Sequence, residues 1–302
     1  LTYINGDFVS EEEARISVFD NGFMLGDGVY EIERTFEGKP FRLDDHMERL
    51  RRSLRYVELD GDALAARAHA ATLELLARNE AAVREAGDVW VHQIVTSGQG
   101  DLDLGGADNP SVVVMLRPLQ FGVFGPLYDG GGIHLEVSLL TRHFAGAMDH
   151  RVKATSRGAW GRAERKTTRA NQGDAGPGAA SMSVIFADDG TIAEAVVANL
   201  CLVEGEAIVR PPRRDALDGV SLKVLCELAA AQGMRTEERK LGLYDFVNAD
   251  MCLVTATSFS LLPALSIDGI ALDVDRERYR RLLTAWIDMV GFDFVKQAQE
   301  AA

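Results

Sequence analysis

The chain has 302 residues, of which 47% are hydrophobic and 26% are charged, proportions typical of soluble globular proteins. Its formal net charge of −14 disfavours binding to a phosphate backbone, so we expect no nucleic-acid partner. No apolar run reaches the length of a membrane span, and the first residues are too polar for a signal peptide. These features predict a cytoplasmic protein with one large domain or two medium ones.

In the first 119 residues the pattern predicts strands around turns, then helices and two more strands. An Asn-Gly turn favours a hairpin over residues 3–9, and alternating apolar residues predict a strand over 28–36. Asp44 or Asp45 is expected to cap the helix that follows. The remaining predicted elements are a helix over 62–86 and strands over 89–96 and 111–116, which flank a Gly/Asp-rich loop over 97–110.

The Pro- and Gly-rich stretch after residue 117 marks a change in composition. We therefore predict a small N-terminal α+β domain over 1–119, an interdomain linker over 120–132 and a larger C-terminal domain over 133–302. Mixed helices and strands in both halves indicate an α+β or α/β fold. The predicted C-terminal elements are strands over 133–140, 182–187, 199–203 and 251–255, helices over about 154–168, 220–232 and 276–290, and a polar loop over 169–180.

The three cysteines, Cys201, Cys226 and Cys252, are odd in number and lie among apolar residues. This setting favours reduced core thiols over disulfide bonds or metal ligands, which suits a cytoplasmic protein. We expect no metal site.

Lys153 is the most distinctive of the six lysines, because it follows a strand-like run and begins a new element. Taken alone, a lysine after a strand is more often a solvated surface residue than a nucleophile. Lys166 is the competing lysine in the same stretch, but it lies in a charged helical face that would not desolvate an amine. Further along, Glu194 and Asn199 occupy a predicted strand-turn-strand.

Short motifs are spaced along nearly the whole chain: Asp20–Phe23, Gly26–Glu31, Phe41–Leu43, His46–Leu50, Lys153, Gly190–Asn199, Leu217–Ser221, Ala249–Asp250 and Thr255–Thr257 with Pro263. In this order they resemble the class IV aminotransferases, the fold-type IV pyridoxal-phosphate family. That family includes branched-chain and D-amino-acid aminotransferases, (R)-amine transaminases and aminodeoxychorismate lyase. The resemblance implies a two-domain fold with a mixed C-terminal sheet, pyridoxal 5′-phosphate bound in the cleft, and a homodimer or larger homo-oligomer.

The resemblance also implies roles for particular residues. Lys153 would form a Schiff base with the cofactor and move the substrate proton, as a lysine held away from solvent can do. Glu194 would pair with the pyridine nitrogen and keep the ring electron-withdrawing. The remaining cofactor-binding candidates, all expected around the phosphate, are Arg49, Gly219, Val220, Ser221, Ala256 and Thr257.

The substrate pocket is less clearly marked. Family members with a carboxylate trap place arginines or histidines after the strand that matches 91–96, whereas residues 96–103 here contain two acids and no arginine. The substrate carboxylate would instead meet the backbone N–H groups at Thr257 to Ser258, the Tyr30 hydroxyl or Arg157. Of Trp90 and His92 we expect one to face the core and the other to line the pocket. The pocket candidates are Tyr30, His92, Arg157 and Ser258, while Asn199 is expected to stabilise the turn after Glu194.

The leading hypothesis is an aminotransferase that moves an amino group between an amino acid or amine and a 2-oxo acid. The first alternative is a lyase resembling aminodeoxychorismate lyase, in which the same lysine supports an elimination. The second is a catalytically silent relative that binds the cofactor or assembles with partners. Lys153 and Glu194 argue against it, because such a protein would have no use for either residue.

Overall fold

The computed structural model describes residues 1–100, 109–128, 130–141, 148–163, 165, 167 and 179–301. The chain forms two compact units. Unit 1 comprises Leu1–Leu119 with Val152–Arg157, and unit 2 comprises Gln120–Arg151 with Gly158–Ala302. Within the described residues, no helix combines the length and the apolar character that crossing a bilayer requires.

Unit 1 contains a six-stranded antiparallel sheet with the order β2-β1-β6-β5-β3-β4. The predicted hairpin and the strands near 28–36, 89–96 and 111–116 are confirmed. Its strands are β1 (Thr2–Ile4), β2 (Asp7–Val9), β3 (Gly28–Phe36), β4 (Lys39–Pro40), β5 (Val89–Thr96) and β6 (Ser111–Pro118).

The helices of unit 1 differ from the prediction in two places. Neither Asp44 nor Asp45 caps the second helix, because its N-cap is Arg42, two or three residues earlier, and both acids lie inside the first turn. The predicted helix over 62–86 is two helices, since the Asn79 side chain bonds the carbonyl of Leu75 and ends the first. The helices are α1 (Asn21–Leu25), α2 (Leu43–Tyr56), α3 (Gly61–Arg78) and α4 (Glu80–Ala86).

The two faces of β5 decide which of its side chains can serve a site. Val91, Gln93 and Val95 are fully buried, and both valines belong to the core formed with α2 and α3. Trp90 and His92 are both only half-buried. The expectation that one of them faces the core is therefore wrong, because residues two apart in a strand share a face.

Unit 2 is built on a nine-stranded mixed sheet with the order β12-β11-β10-β13-β14-β7-β8-β9, and β15 pairs with β14. Its strands are β7 (Gly132–Thr141), β8 (Ala179–Phe186), β9 (Ile192–Ala195), β10 (Asn199–Glu204), β11 (Ala207–Arg210), β12 (Arg235–Glu238), β13 (Met251–Ala256), β14 (Ser260–Ile267) and β15 (Ile270–Ala271). Its helices are α5 (Phe121–Tyr128), α6 (including residues 158–163), α7 (Val220–Ala231), α8 (Leu243–Asn248), α9 (Arg276–Val290) and α10 (Phe294–Glu300).

Several unit 2 elements were not predicted, among them β11, β12, β14, α8 and α10. Residues 120–132, predicted as a linker, contain α5. The helix predicted from about residue 154 begins at 158, because residues 153–155 pair with β3. Residues 169–178 of the predicted polar loop lie outside the described residues. Cys201, Cys226 and Cys252 are free thiols.

A tight turn joins β9 to β10. Ala195 and Ala198 exchange two backbone hydrogen bonds, of 2.9 and 3.2 Å, across Val196 and Val197. Val197 has a left-handed backbone with φ of 65°, which is rare for a β-branched residue. The predicted strand-turn-strand is confirmed, and it sets Glu194 and Asn199 on its two arms.

Candidate active site

Lys153 is held against strand β3 by backbone hydrogen bonds. The Tyr30 N–H donates to the Lys153 carbonyl at 2.9 Å, and the Thr155 N–H donates to the Gly28 carbonyl at 2.9 Å. Between them, Ala154 forms a bridge with Val29. Although Lys153 lies outside regular secondary structure, its backbone is therefore as fixed as that of a strand residue.

The Lys153 side chain lies on the ring of Tyr30. Its Nζ is 4.8 Å from the ring centroid, and the guanidinium carbon of Arg157 is 5.7 Å from the same centroid. Arg157 also donates a hydrogen bond to the Tyr30 hydroxyl. Burial raises the pKa of Tyr30 despite the opposing charge of Arg157, so the phenol stays neutral. The buried Tyr30 ring thus contacts two cationic side chains, those of Lys153 and Arg157.

The next residue of β3, Glu31, joins two residues of α2 in a buried network. Nε and Nη2 of Arg49 donate to the two Glu31 oxygens at 2.7 and 2.6 Å, and Nδ1 of His46 donates at 2.9 Å. Burial alone would raise the pKa of Glu31, but Arg49 and His46 outweigh it and lower the pKa to about 2. Burial lowers the pKa of His46, so its imidazole is neutral. The fork of Arg49 is therefore engaged by Glu31.

Two residues along the same strand face, Glu33 behaves in the opposite way. It is fully buried and accepts a 2.9 Å hydrogen bond from Nε2 of Gln93, which also donates to Thr72 at 3.0 Å. Burial and the charge of Glu31 raise the pKa of Glu33 to about 8, against a weaker lowering by Gln93. Glu33 is therefore a neutral acid at pH 7.

His92 lies on the opposite face of the sheet, the face that carries Tyr30. Burial lowers its pKa to about 4, and the charges of Arg117 and Lys153 act in the same direction. Its Nε2 is buried without a hydrogen-bond partner in the described part of the chain. His92 is thus a neutral imidazole within electrostatic reach of Lys153.

In unit 2 the central carboxylate is Glu194. It is buried on β9, and its Oε2 accepts a 3.0 Å hydrogen bond from the Leu217 N–H. The Leu217 carbonyl accepts a 2.8 Å hydrogen bond from Nδ2 of Asn199. Three chain segments are therefore tied together at this carboxylate.

The same loop leads into α7. Gly219 is the N-cap of α7, no side chain caps the helix, and its first turn contains no acid. Such a helix start presents backbone N–H groups and a positive dipole end, which attract anions. Across the sheet, Asn199 pairs with Thr255, and Thr257 and Ser258 form the turn between β13 and β14.

The structure distributes the predicted site residues over its two units. Unit 1 contains Tyr30, Arg49, His92, Lys153 and Arg157 in one neighbourhood, and unit 2 contains the others. Lys166 and residues 101–103 of the arginine-free segment lie outside the described residues. The predicted site residues that lie in unit 2 are Glu194, Gly219, Val220, Ser221, Ala256, Thr257 and Ser258.

Sequence reasoning assigned no role to Glu31, His46 or Leu217. The charged residues at alternate positions 31 and 33 of an otherwise buried strand were a usable signal, since buried acids are nearly always paired or neutral. His46 and Arg49 lie three apart on a helix and so share a face. Leu217 acts through its backbone, which residue identity does not reveal.

Comparison with known proteins places these features in a family. The family model for class IV amino-transferases matches residues 28–267. A Methanocaldococcus jannaschii protein assigned as a branched-chain-amino-acid aminotransferase is 26% identical over 94% of this chain and 96% of its own. The aminodeoxychorismate lyase of Bacillus subtilis is 25% identical over 89% of this chain and 87% of its own.

Solved structures share the fold. A hypothetical aminotransferase from Mycobacterium tuberculosis, in its pyridoxal-phosphate-bound form, has a TM-score of 0.79 at 20% identity, covering 96% of this chain and 99% of that one. The fold-type IV transaminase CpuTA1 from Curtobacterium pusillum has a TM-score of 0.73 at 19% identity, with 91% of both chains covered. This chain therefore belongs to the class IV aminotransferase family, a pyridoxal-phosphate-dependent family with the two-domain α+β architecture of fold type IV.

Proposed function

We propose that this protein is an aminotransferase that moves an amino group between an amino acid or amine and a 2-oxo acid, with Lys153 as the residue that attaches pyridoxal phosphate. The observation that carries the proposal is the fixed, half-buried position of Lys153 on β3, with its amine on the Tyr30 ring. A covalent lysine nucleophile needs this kind of partly desolvated, oriented setting. Membership of the class IV aminotransferase family implies that the cofactor is pyridoxal phosphate.

The residues of unit 2 fit the cofactor's charged groups. Glu194 is a buried carboxylate suited to a protonated ring nitrogen. The uncapped, acid-free start of α7 at Gly219, Val220 and Ser221 suits a phosphate. The Thr255 hydroxyl is buried without a hydrogen-bond partner in the described residues, next to Ala256 and Thr257. We therefore assign the ring nitrogen to Glu194 and the phosphate to the α7 start with the 256–257 turn.

Bound pyridoxal phosphate supplies an aldehyde that condenses with amines and a ring that withdraws electrons from the substrate carbon. The chain supplies the proton transfer. Lys153 Nζ would move the proton between the amino-bearing carbon of the substrate and the C4′ carbon of the cofactor, from a backbone fixed against β3. We keep Arg49 of unit 1 as a candidate phosphate ligand, although its guanidinium is engaged by Glu31.

We assign Tyr30, Arg157, His92 and Ser258 to the substrate pocket. The Tyr30 hydroxyl accepts from Arg157, so its own proton is available to a further acceptor. The Tyr30 hydroxyl and the Arg157 guanidinium can then both donate, which suits a substrate carboxylate. His92 adds one neutral polar atom to the same sheet face.

Borohydride reduction of purified protein incubated with pyridoxal phosphate tests the attachment. Labelled Lys153 resists trypsin, so the label should appear on the peptide over residues 152–157. A label on Lys166 instead would contradict the assignment. The Lys153→Arg variant, which should take up no label, is the control.

The lyase alternative is favoured by the similarity to the Bacillus subtilis enzyme. A half-reaction separates the two. An aminotransferase loses its bound-cofactor absorbance with an amino donor and regains it with a 2-oxo acid, in a panel of donors and acceptors. A lyase releases pyruvate without that cycle. A protein that shows no Schiff-base absorbance after addition of pyridoxal phosphate would instead be the catalytically silent relative.

We also propose that the protein assembles as a homodimer or larger homo-oligomer. In unit 1, residues 16–25 expose six large apolar side chains by 46–69%, and contiguous apolar patches of this kind mark interaction surfaces. The Phe19→Ser, Phe23→Ser variant should sediment as a smaller species than wild type. Tyr244→Ser, at an exposed aromatic of unit 2, is the control. Unchanged sedimentation of the double variant would contradict the proposal.

A further inference from the structure

Asn199 contacts the loop before α7 at two points. The residue is 6% exposed and begins β10. Its Nδ2 donates to the Leu217 carbonyl at 2.8 Å. A methyl group added to Gly219 would come within 1.8 Å of its Oδ1. One side-chain amide thus bonds the first residue of the 217–219 segment and closes the space beside the last.

The first contact reaches Glu194 through a single residue. Leu217, held at its carbonyl by Asn199, donates its own N–H to Glu194 Oε2 at 3.0 Å. Hydrogen bonds weaken steeply when donor and acceptor are misaligned. A shift of Leu217 would therefore turn the carboxylate as well as the loop.

The second contact sets where α7 begins. Gly219 has φ of −69° and ψ of 134°, which any residue adopts, so its lack of a side chain is required by Asn199 and not by its backbone. The N–H groups of the first turn point from this end of the helix. The position of Gly219 against Asn199 therefore fixes where those donors lie.

We propose that Asn199 is a positioning residue, which through the 217–219 loop aligns the Glu194 carboxylate with the first turn of α7. The inference rests on the proposed function, because those two groups are the ones assigned to the ring nitrogen and the phosphate. The amide is required as such. An aspartate of the same shape presents only oxygen acceptors to the Leu217 carbonyl, so attraction becomes repulsion.

The test compares Asn199→Asp with Asn248→Asp. Asn248 makes the same kind of bond, from Nδ2 to the Tyr244 carbonyl at 2.7 Å, on the exposed side of α8. Equilibrium dialysis of the full-length protein with pyridoxal phosphate should show affinity lowered about tenfold or more in N199D and changed less than about twofold in N248D. The pH titration of the bound-cofactor absorbance should shift in N199D alone, because Glu194 is turned.

A double-mutant cycle tests the steric contact. Gly219→Ala should weaken cofactor binding about tenfold in the wild-type background, where the methyl group meets Asn199. In an Asn199→Ala background the space is open, so the same substitution should change affinity less than about threefold. Urea unfolding of each variant shows that it is folded.

Three outcomes would overturn the inference. The first is wild-type affinity and titration in N199D or N199A. The second is an equal effect of G219A in both backgrounds. The third is failure of every Asn199 variant to fold, which would assign the residue to stability alone. Wild-type protein that binds cofactor but fails the half-reaction contradicts the proposed function and leaves these affinity tests standing. Wild-type protein that takes up no cofactor overturns both.

Discussion

The two units organise their parts of the site by different physical means. In unit 1, Lys153, Arg49, Arg157 and Glu31 are charged side chains ordered by one another and by Tyr30. In unit 2 one buried carboxylate, Glu194, is ordered by a backbone N–H. The uncapped start of α7 supplies further backbone N–H groups. Unit 1 should therefore be sensitive to changes of charge and pH, and unit 2 to changes of shape.

The largest expected effect is at Lys153. Lys153→Arg keeps the charge on the Tyr30 ring but removes the nucleophile, so single-turnover transamination should fall by about a thousandfold or more. Lys296→Arg, an exposed lysine of α10, is the matched control and should be unchanged. Activity within about tenfold of wild type in Lys153→Arg would show that the reactive amine belongs to another residue.

Glu31→Gln should be the most destabilising change in the unit 1 network. It leaves the Arg49 guanidinium buried without its counter-charge, which typically costs about 3–5 kcal/mol. Urea unfolding at pH 7 measures this as a lower midpoint. Glu80→Gln, in the exposed pair with Arg84, should leave the midpoint almost unchanged. Equal effects of the two variants would remove the distinction between buried and exposed pairs.

Glu33→Gln should raise the stability of the folded protein at alkaline pH, whereas Glu31→Gln lowers it. The pKa of Glu33 is about 8 in the folded protein against an ordinary value of 4.5, so the folded state keeps a proton that the unfolded state releases. The stabilisation that this retained proton gives the folded state is full below pH 4.5. It falls as the pH rises to about 8 and is constant above that pH. At pH 9 the variant should therefore be more stable than wild type, by a margin that is absent at or below pH 4.5. Unfolding curves at pH 5 and 9 that shift in parallel for both proteins would contradict this.

The smallest effects compare two buried threonines. Thr72 in unit 1 accepts a 3.0 Å hydrogen bond from Gln93, so Thr72→Val should cost about 1 kcal/mol. The Thr255 hydroxyl in unit 2 has no partner in the described residues, so Thr255→Val should be neutral or slightly stabilising in the apoprotein. Thermal unfolding of the cofactor-free variants measures both. A loss at Thr255 equal to that at Thr72 would show that its hydroxyl is bonded.

Sequence patterns predicted most of the regular structure because local periodicity carries it. The strand over 28–36 and the helix over 220–232 follow from spacing alone. The division of the 62–86 helix depended on one side chain, Asn79, that competes for a carbonyl. The late start of the helix after Lys153 depended on pairing with β3, a partner more than a hundred residues away.

The candidate site was predictable as a set of residues and not as an arrangement. Lys153 and Glu194 were identified by order along the chain, which motif spacing preserves. The engagement of Arg49 by Glu31 was not, because it requires a strand and a helix to bury opposite charges together. The Leu217 N–H is invisible to residue-type reasoning, since every residue but proline has one.

The left-handed Val197 in the β9–β10 turn has a practical consequence. A β-branched residue at φ of 65° stores about 1–3 kcal/mol of backbone strain, and asparagine adopts the same conformation with less. Val197 is largely exposed, so Val197→Asn should remove this strain without opening the core. The gain would offset part of the loss from a damaging substitution. Val197→Asn is thus a more stable background, in which a larger fraction of a weakened variant such as Glu31→Gln stays folded.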